Sequence, residues 1–179
     1  MIRRLLTSLA VLLGLGHTGC AQSGDGSLSW RAVDALIERE FPAVASVSTD
    51  SLAAWLDDST RVPPLLLDAR ESEEYAVSHL PGALRVDPDA SAEALAAALP
   101  GDFDPARPVV VYCSVGYRSA RIADRLETAG ARDVRNLDGS IFKWANEGRP
   151  VVRDGATVRE VHPYDATWGR LLNRDLRAE

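Results

Sequence analysis

The stretch VVVYCSVGYRSARIADRLETA, residues 109–129, carries the pattern that decides the fold. Its first four residues are apolar and rich in β-branched side chains, which is typical of a short buried strand. From residue 120 onward apolar side chains recur close to a 3.6-residue period, which predicts a helix over 120–129. Cys113 therefore lies on the turn between a strand and a helix, and Ser119 is the expected helix N-cap.

The turn at residues 113–119 is suited to holding negative charge. A helix N-terminus offers free backbone N–H groups and the positive end of the helix dipole. Gly116 permits a backbone conformation that turns amides inward, and the cation of Arg118 is close in sequence. Such surroundings lower the pKa of a cysteine thiol from about 8.5 to roughly 3.5–7.5. We therefore predict that Cys113 is a thiolate nucleophile rather than a small buried apolar side chain.

Two further motifs flank this turn. Upstream lies LLLDARESEEY (65–75), in which an apolar strand is followed by an aspartate and an arginine and then by the acidic start of a helix. The sequence SHLPGA (78–83) follows. Downstream, VRNLDGS (134–140) precedes Trp144. In this order and spacing the three motifs resemble those of the rhodanese family of sulfurtransferases over residues 47–151. Ser78 and Ser140 stand where that family usually has glycine.

The remaining periodicities agree with an α/β fold. They predict strands near 45–48, 65–68 and 83–86, a helix capped by Asp50 or Ser51 and ending at Asp57, and a second helix over 92–99. Alternation of strands and helices implies a central parallel sheet covered by helices on both faces. The expected architecture is thus the three-layer rhodanese-like fold.

The resemblance also implies roles for the residues of the turn. Cys113 would carry the transferred sulfur as a persulfide, and the loop after it would bind that sulfur and the leaving charge through the following residues: Ser114, Val115, Gly116, Tyr117, Arg118 and Ser119. Asp68 and Arg70 would brace neighbouring loops. His79 would have a structural role in its turn, because transfer from a preformed thiolate needs no proton abstraction.

Loop length separates the function classes within this superfamily. Cys113 to Arg118 is six residues, as in sulfurtransferases, whereas related phosphatases and arsenate reductases have one residue more. A phosphatase or arsenate reductase on the same fold remains an alternative, as does a non-enzymatic module that binds a partner or carries sulfur. The expected small molecules are a thiosulfate-like donor and a thiol or cyanide acceptor; a sulfur-accepting protein is a further candidate partner.

Composition restricts the other classes. The chain has 179 residues, 46% of them hydrophobic, which leaves room for one domain with extensions. Its formal net charge of −6 without a basic cluster argues against a nucleic-acid partner. Two cysteines, Cys20 and Cys113, supply neither a disulfide framework nor a zinc set, so no metal and no cofactor are expected.

The N-terminus is typical of an export signal. Arg3 and Arg4 precede an apolar stretch, 5–15, that is too short to span a bilayer. The sequence HTGC, 17–20, is similar to a bacterial lipoprotein box in which Cys20 is lipidated, and cleavage after Ala21 is the alternative. We therefore expect a periplasmic protein that contacts the membrane only through a lipid anchor.

These observations predict five segments. Residues 1–20 form the lipoprotein-type signal, and 21–29 form a flexible linker rich in glycine and serine. Residues 30–45 form an N-terminal helical extension, whose helix ends before Pro42, and 46–152 form the rhodanese domain. Residues 153–179 form a C-terminal extension of a loop and a terminal helix, whose aromatic side chains are expected to pack on the domain rather than bind a ligand.

Overall fold

The computed structural model describes residues 28–179. The predicted signal segment, Cys20 and the linker up to residue 27 lie outside the described residues. Within 28–179, no helix is long and apolar enough to cross a membrane.

Five parallel strands form the central sheet. In chain order they are β1 (Ala45–Val47), β2 (Leu65–Asp68), β3 (Leu84–Arg85), β4 (Val109–Tyr112) and β5 (Val134–Leu137). Their order in space is β1-β5-β4-β2-β3, which places β4 at the centre. Every residue of β2 and β4 is buried, as expected for parallel strands covered on both faces.

Six helices within residues 28–179 cover this sheet. They are α1 (Trp30–Glu40), α2 (Thr49–Asp57), α3 (Ser72–Val77), α4 (Ala92–Ala98), α5 (Tyr117–Thr128) and α6 (Ser140–Asn146). Alternate side chains of β4 enter two separate apolar clusters. Val110 and Tyr112 pack with α2 and α6, whereas Val109 and Val111 pack with α4 and α5. The predicted three-layer α/β architecture, with helices on both faces of a parallel sheet, is therefore confirmed.

The strand register gathers the strand ends at one edge of the sheet. Asp68 of β2 is opposite Tyr112 of β4, and Val111 of β4 is opposite Asn136 of β5. Because all three strands run in the same direction, the chain leaves β2, β4 and β5 at one edge. The segments that follow these strands therefore share one end of the molecule.

The predicted N-cap of α2 differs from the structure. Ser48 is the N-cap of α2, and its hydroxyl accepts from the N–H of Ser51 at 3.1 Å. The expectation that Asp50 or Ser51 caps this helix was wrong. Four polar residues in succession, 48–51, are all good N-caps, so propensity alone does not choose among them.

The chain after α6 differs more from the prediction of a loop and a terminal helix. It begins with an antiparallel hairpin, β6 (Val151–Arg153) and β7 (Ala156–Val158), and ends in two 3-10 turns, Trp168–Leu171 and Arg174–Leu176. Asp154 and Gly155 both have positive φ in the two-residue hairpin loop. An Asp-Gly pair between two short runs rich in β-branched residues is a hairpin signal that was present in the sequence.

The C-terminal extension is anchored to the domain. Val161, Leu172 and Leu176 are buried in the same apolar cluster as α2 and α6. The N–H of Val161 donates to the carbonyl of Leu176 at 2.7 Å, and the N–H of Ala178 donates to the carbonyl of Val161 at 3.0 Å. These contacts fix the path of residues 162–171 across the end of the sheet.

Candidate active site

Cys113 follows the central strand β4 directly. Its side chain belongs to the α4/α5 cluster, and the residue is 1% exposed. Gly116 is the N-cap of α5 and has a φ of +113°, a conformation that L side chains rarely adopt. This conformation lets the N–H of Gly116 donate to Cys113 Sγ at 3.1 Å. A Cβ at Gly116 would also lie 3.0 Å from Cδ1 of Ile37, so the Ile37 side chain would have to shift slightly, and the positive φ is the main reason for a glycine here.

Ser119 is inside α5 rather than at its N-cap, so that prediction was wrong. The hydroxyl of Ser119 donates to Oδ1 of Asn136 at 2.7 Å, and Nδ2 of Asn136 donates to the carbonyl of Gly116 at 3.0 Å. Asn136, a buried residue of β5, thus ties the turn to the sheet. The sequence motif contained Asn136 but gave no sign of this role, because the two segments meet only in the folded sheet.

The start of α6 holds the backbone of the nucleophile. Ser140 Oγ accepts the N–H of Cys113 at 3.1 Å and donates to the carbonyl of Leu137 at 3.2 Å. The N–H groups of Ile141 and Phe142 donate to the carbonyls of Cys113 and Ser114, each at 3.2 Å. In the sequence, Ser140 was notable only because it stands where the family usually has glycine. In the structure its hydroxyl satisfies a buried N–H that a glycine would leave without this partner.

Arg118 is paired with a buried acid on α3. Its two terminal nitrogens donate to the two carboxylate oxygens of Glu74 at 2.7 and 2.8 Å. Ser114 Oγ also donates to Glu74 at 2.8 Å and accepts from Arg118 at 2.9 Å. The side chains of Arg118 and Glu74 are 16% and 2% exposed. The sequence marked Glu74 only as part of an acidic helix start, because its partner is 44 residues away.

The electrostatics of this cluster favour the carboxylate form of Glu74 and the thiolate form of Cys113. Burial would raise the pKa of Glu74, but the hydrogen bonds and charge of Arg118 and the hydrogen bonds from Glu71 and Ser114 hold it below its usual value. Burial would likewise raise the pKa of Cys113. The positive charge of Arg118 and hydrogen bonds within the turn outweigh burial and lower this pKa.

The single proton of the Ser119 hydroxyl is engaged by Asn136 at 2.7 Å. We therefore attribute the lowered pKa of Cys113 to the charge of Arg118 and to backbone N–H donation, for which the 3.1 Å contact from Gly116 is the geometric basis.

Asp68 and Arg70 form a buried ion pair beneath the site. Both side chains are 0% exposed, and two guanidinium nitrogens of Arg70 contact the carboxylate of Asp68 at 2.7 to 3.2 Å. Arg70 also donates to the carbonyls of Glu74 and Ser78. These bonds hold α3 at Glu74 and at its C-cap, Ser78, and hence position the carboxylate that binds Arg118.

His79 holds its turn through contacts on two sides. Its Nδ1 lies 3.2 Å from the carbonyl of Tyr75, and the two rings stack with centroids 3.9 Å apart. Its backbone exchanges two hydrogen bonds with Val152 of the hairpin. These contacts hold both the ring and the backbone of His79 in the turn.

A cleft with a volume of about 260 Å³ opens above Cys113. Val115 and Tyr117 of the turn line it, together with Arg118 and Ser114. Its other walls come from outside the three motifs: Leu36 of α1, and Tyr164 and Trp168 of the C-terminal extension. These two aromatic residues were expected only to pack on the domain. Trp168 does contact the core, yet both face the cysteine cleft.

The part of the chain that the structure describes contains no cluster of side chains suited to binding a metal ion. Across residues 28–179, no group of three or more His, Cys, Asp and Glu side chains is arranged to hold an ion. Cys113 is a free cysteine.

Comparison with known proteins agrees with this geometry. A family model for the rhodanese-like domain matches residues 48–147. A sulfurtransferase of Allochromatium vinosum is 35% identical over 109 residues, covering 61% of this chain and 95% of its own length. An HTH-type transcriptional regulator of Mycobacterium tuberculosis is 32% identical over 136 residues, covering 70% of this chain and 58% of its own length.

A solved structure shows the same likeness. Thiosulfate sulfurtransferase from Pseudomonas aeruginosa is 28% identical, with a TM-score of 0.57, and the match covers 72% of this chain and 23% of that one. Two of these similar proteins are named as sulfurtransferases. The match over residues 48–147 and the observed fold confirm the resemblance, and the chain belongs to the family of rhodanese-like domains.

Proposed function

We propose that this protein transfers sulfane sulfur from a thiosulfate-like donor to a nucleophilic acceptor through a persulfide on Cys113. The observation that carries the proposal is the buried Cys113 thiol, whose pKa is lowered by Arg118 and by N–H donors at the base of an open cleft. The thiolate is the nucleophilic form of cysteine, so this site is prepared for attack on a polarised sulfur–sulfur bond.

The reaction follows as two displacements. The Cys113 thiolate attacks the outer sulfur of thiosulfate, the S–S bond of the donor breaks, and sulfite leaves with the bonding electron pair. The N–H of Gly116, 3.1 Å from Sγ, stabilises the negative charge on this sulfur before the attack and after its release. An acceptor, either cyanide or a thiolate, then attacks that terminal sulfur and releases the Cys113 thiolate.

The geometry supports sulfur chemistry over phosphoryl transfer. Arg118 closes a six-residue turn, and both of its terminal nitrogens are engaged by Glu74. A guanidinium held in this way has no free fork with which to bind two oxygens of a phosphate or arsenate. A phosphate ester assay beside a thiosulfate–cyanide assay separates the two activities.

The direct experiment is the mass of the persulfide. Protein lacking the residues before Gln22 contains Cys113 as its one thiol. Incubation with thiosulfate should give a species one sulfur atom heavier, and cyanide should reverse it. Cys113→Ser should form no such species. Failure to form it with several sulfane donors, in folded protein whose Cys113 still alkylates, would move the assignment to a binding module.

Export and anchoring complete the proposal. The charged and apolar N-terminal segment and the HTGC sequence support a periplasmic lipoprotein anchored through Cys20. A sulfur-accepting protein at the membrane surface is then a candidate partner. The intact mass of membrane-extracted protein decides this point: acyl chains on an N-terminal Cys20 support it, and an unmodified N-terminus at Gln22 in a soluble fraction contradicts it.

A further inference from the structure

The cleft over Cys113 is walled by residues that the family motifs do not contain. Leu36 comes from α1, and Tyr164 and Trp168 come from the segment that follows the hairpin. Together with Val115 and Tyr117 they make its surface mainly apolar. The cleft therefore differs in character from the polar turn at its base.

The segment that carries the two aromatic residues is held in a defined conformation. Tyr164 has a φ of +65°, which is uncommon for a residue other than glycine. Its N–H donates to Nδ1 of His162 at 3.0 Å. Oδ1 of Asp165 accepts from the N–H groups of Thr167 and Trp168 at 2.7 and 2.8 Å. Uncommon backbone conformations persist where surrounding contacts impose them, and such residues cluster at functional sites.

The positive charge of Arg118 is already balanced by Glu74. Arg118 is the one cationic residue among those that line it, and its terminal nitrogens are engaged by the Glu74 carboxylate. The Tyr164 ring covers the guanidinium, with its centroid 4.7 Å from Cζ. With Cys113 ionised, the group of Arg118, Glu74 and Cys113 carries a net charge of −1. A dianion such as thiosulfate gains little attraction there and loses hydration against the apolar walls.

We propose that the preferred sulfur donor is a small organic monoanion in which the sulfane sulfur is joined to a group bearing an apolar substituent. The inference rests on the sulfurtransferase activity proposed above. Leu36, Tyr164 and Trp168 bind the substituent, and the sulfane sulfur reaches Cys113. The volume of about 260 Å³ lies below the ~300–1,000 Å³ of pockets for drug-sized ligands, so the substituent is no larger than a single ring or short alkyl chain.

The transfer of sulfur from an organic thiosulfonate breaks and forms the same kinds of bond as the transfer from thiosulfate. The Cys113 thiolate attacks the sulfane sulfur, the bond from that sulfur to the sulfonyl sulfur breaks, and an organic sulfinate leaves with the electron pair. One negative charge enters on the donor and one leaves on the sulfinate. The apolar substituent stays in the cleft until the sulfinate departs.

Three donors separate charge from apolar contact. Thiosulfate is a dianion, methanethiosulfonate is a monoanion with one methyl group, and benzenethiosulfonate is a monoanion with a ring. The rate constant for persulfide formation on Cys113 is measured for each by mass and divided by the rate with free N-acetylcysteine, which removes differences in intrinsic reactivity. We expect the normalised rate constant for benzenethiosulfonate to exceed that for methanethiosulfonate about tenfold or more.

Two variants assign this preference to the aromatic wall. Trp168→Ala removes one ring, and Tyr164→Asn removes the other while keeping a residue that tolerates positive φ. In both variants the ratio of the normalised rate constants for benzenethiosulfonate and methanethiosulfonate should fall toward one. Val62→Ala, at a position 65% exposed and outside the cleft, should leave the preference unchanged. Equal normalised rates for the two monoanions, or a preference retained in both aromatic variants, would overturn the inference while leaving sulfur transfer intact.

A second measurement does not depend on turnover. Benzenesulfinate, the product monoanion, should protect Cys113 from iodoacetamide at lower concentration than methanesulfinate does. If no donor yields a persulfide, the proposed function fails, and this measurement still decides the nature of the cleft. Selective protection by benzenesulfinate supports an apolar monoanion site, and equal protection by the two sulfinates overturns it.

Discussion

Replacing Arg118 by leucine separates the two effects of its guanidinium. The wild-type residue pairs with Glu74 through contacts of 2.7 and 2.8 Å, and the carboxylate is 2% exposed. Removing one partner of a buried ion pair typically costs about 3–5 kcal/mol, because the other charge stays buried without compensation. For a chain of this size we expect Arg118→Leu to lower Tm by about 10 °C. The pKa of Cys113 should rise, because the largest effect that lowers it is removed.

The loss of stability depends on pH in a defined direction. In the wild type the pKa of Glu74 is below its usual value, so its contribution is present at neutral pH and lost as the pH falls through that lowered pKa. In Arg118→Leu the same carboxyl has no cationic partner, and burial raises its pKa. The difference in unfolding free energy between the two proteins should therefore be largest near pH 7 and smaller near about pH 4. Urea unfolding at the two pH values measures it.

The double variant Arg118→Leu/Glu74→Leu is the matched control. Replacing a whole buried ion pair by apolar residues is often neutral or stabilising, so most of the lost stability should return. The pKa of Cys113, measured by alkylation rate against pH, should stay raised, because the positive charge is still absent. An alkylation midpoint that does not move in Arg118→Leu, or a thiol pKa restored along with stability in the double variant, would refute this account of the activated thiol.

Four further changes test other contacts of the site. Gly116→Ala introduces a side chain at a φ of +113° and close to α1, so it should destabilise the fold by about 1–3 kcal/mol and raise the pKa of Cys113, measured by alkylation. Ser140→Ala leaves the N–H of Cys113 without its acceptor and should cost about 1–3 kcal/mol in urea unfolding, whereas Ser140→Gly should cost less because glycine suits the positive φ of +50°. Ser78→Ala removes a buried hydroxyl that has no partner in the described chain, and should raise the unfolding free energy by about 1 kcal/mol. Asp68→Asn should cost about 3–5 kcal/mol by breaking a fully buried ion pair, and a loss below 1 kcal/mol would contradict its bracing role.

The elements that the sequence predicted well are those specified by local pattern. The strand at 109–112 and the helix after it follow from β-branched runs and helical period, and the strand at 65–68 follows in the same way. Three spaced motifs were enough to predict the fold and the position of Cys113. Each of these features depends on residues adjacent in the chain.

The contacts that sequence reasoning missed join distant segments. Glu74 binds Arg118 across 44 residues, Ser140 binds Cys113 across 27, and Asn136 binds Ser119 across 17. A carboxylate in an acidic helix start looks solvated until the sheet register brings its helix beside the turn. The aromatic residues of the C-terminal extension were missed for a similar reason, since no local period shows that a loop crosses the cysteine cleft.

The distribution of these contacts limits how far the cysteine turn can be transplanted. A peptide or a foreign scaffold carrying only residues 113–119 would keep Gly116 and Arg118 but lose the carboxylate of Glu74 and the hydroxyl of Ser140. Its arginine would then be free to rotate into water, and its thiol would behave as that of an ordinary exposed cysteine. A designer who wants this reactivity elsewhere must move three separated pieces of chain and the sheet that aligns them. The transferable unit is therefore the arrangement of β4, α3 and α6, not the heptapeptide.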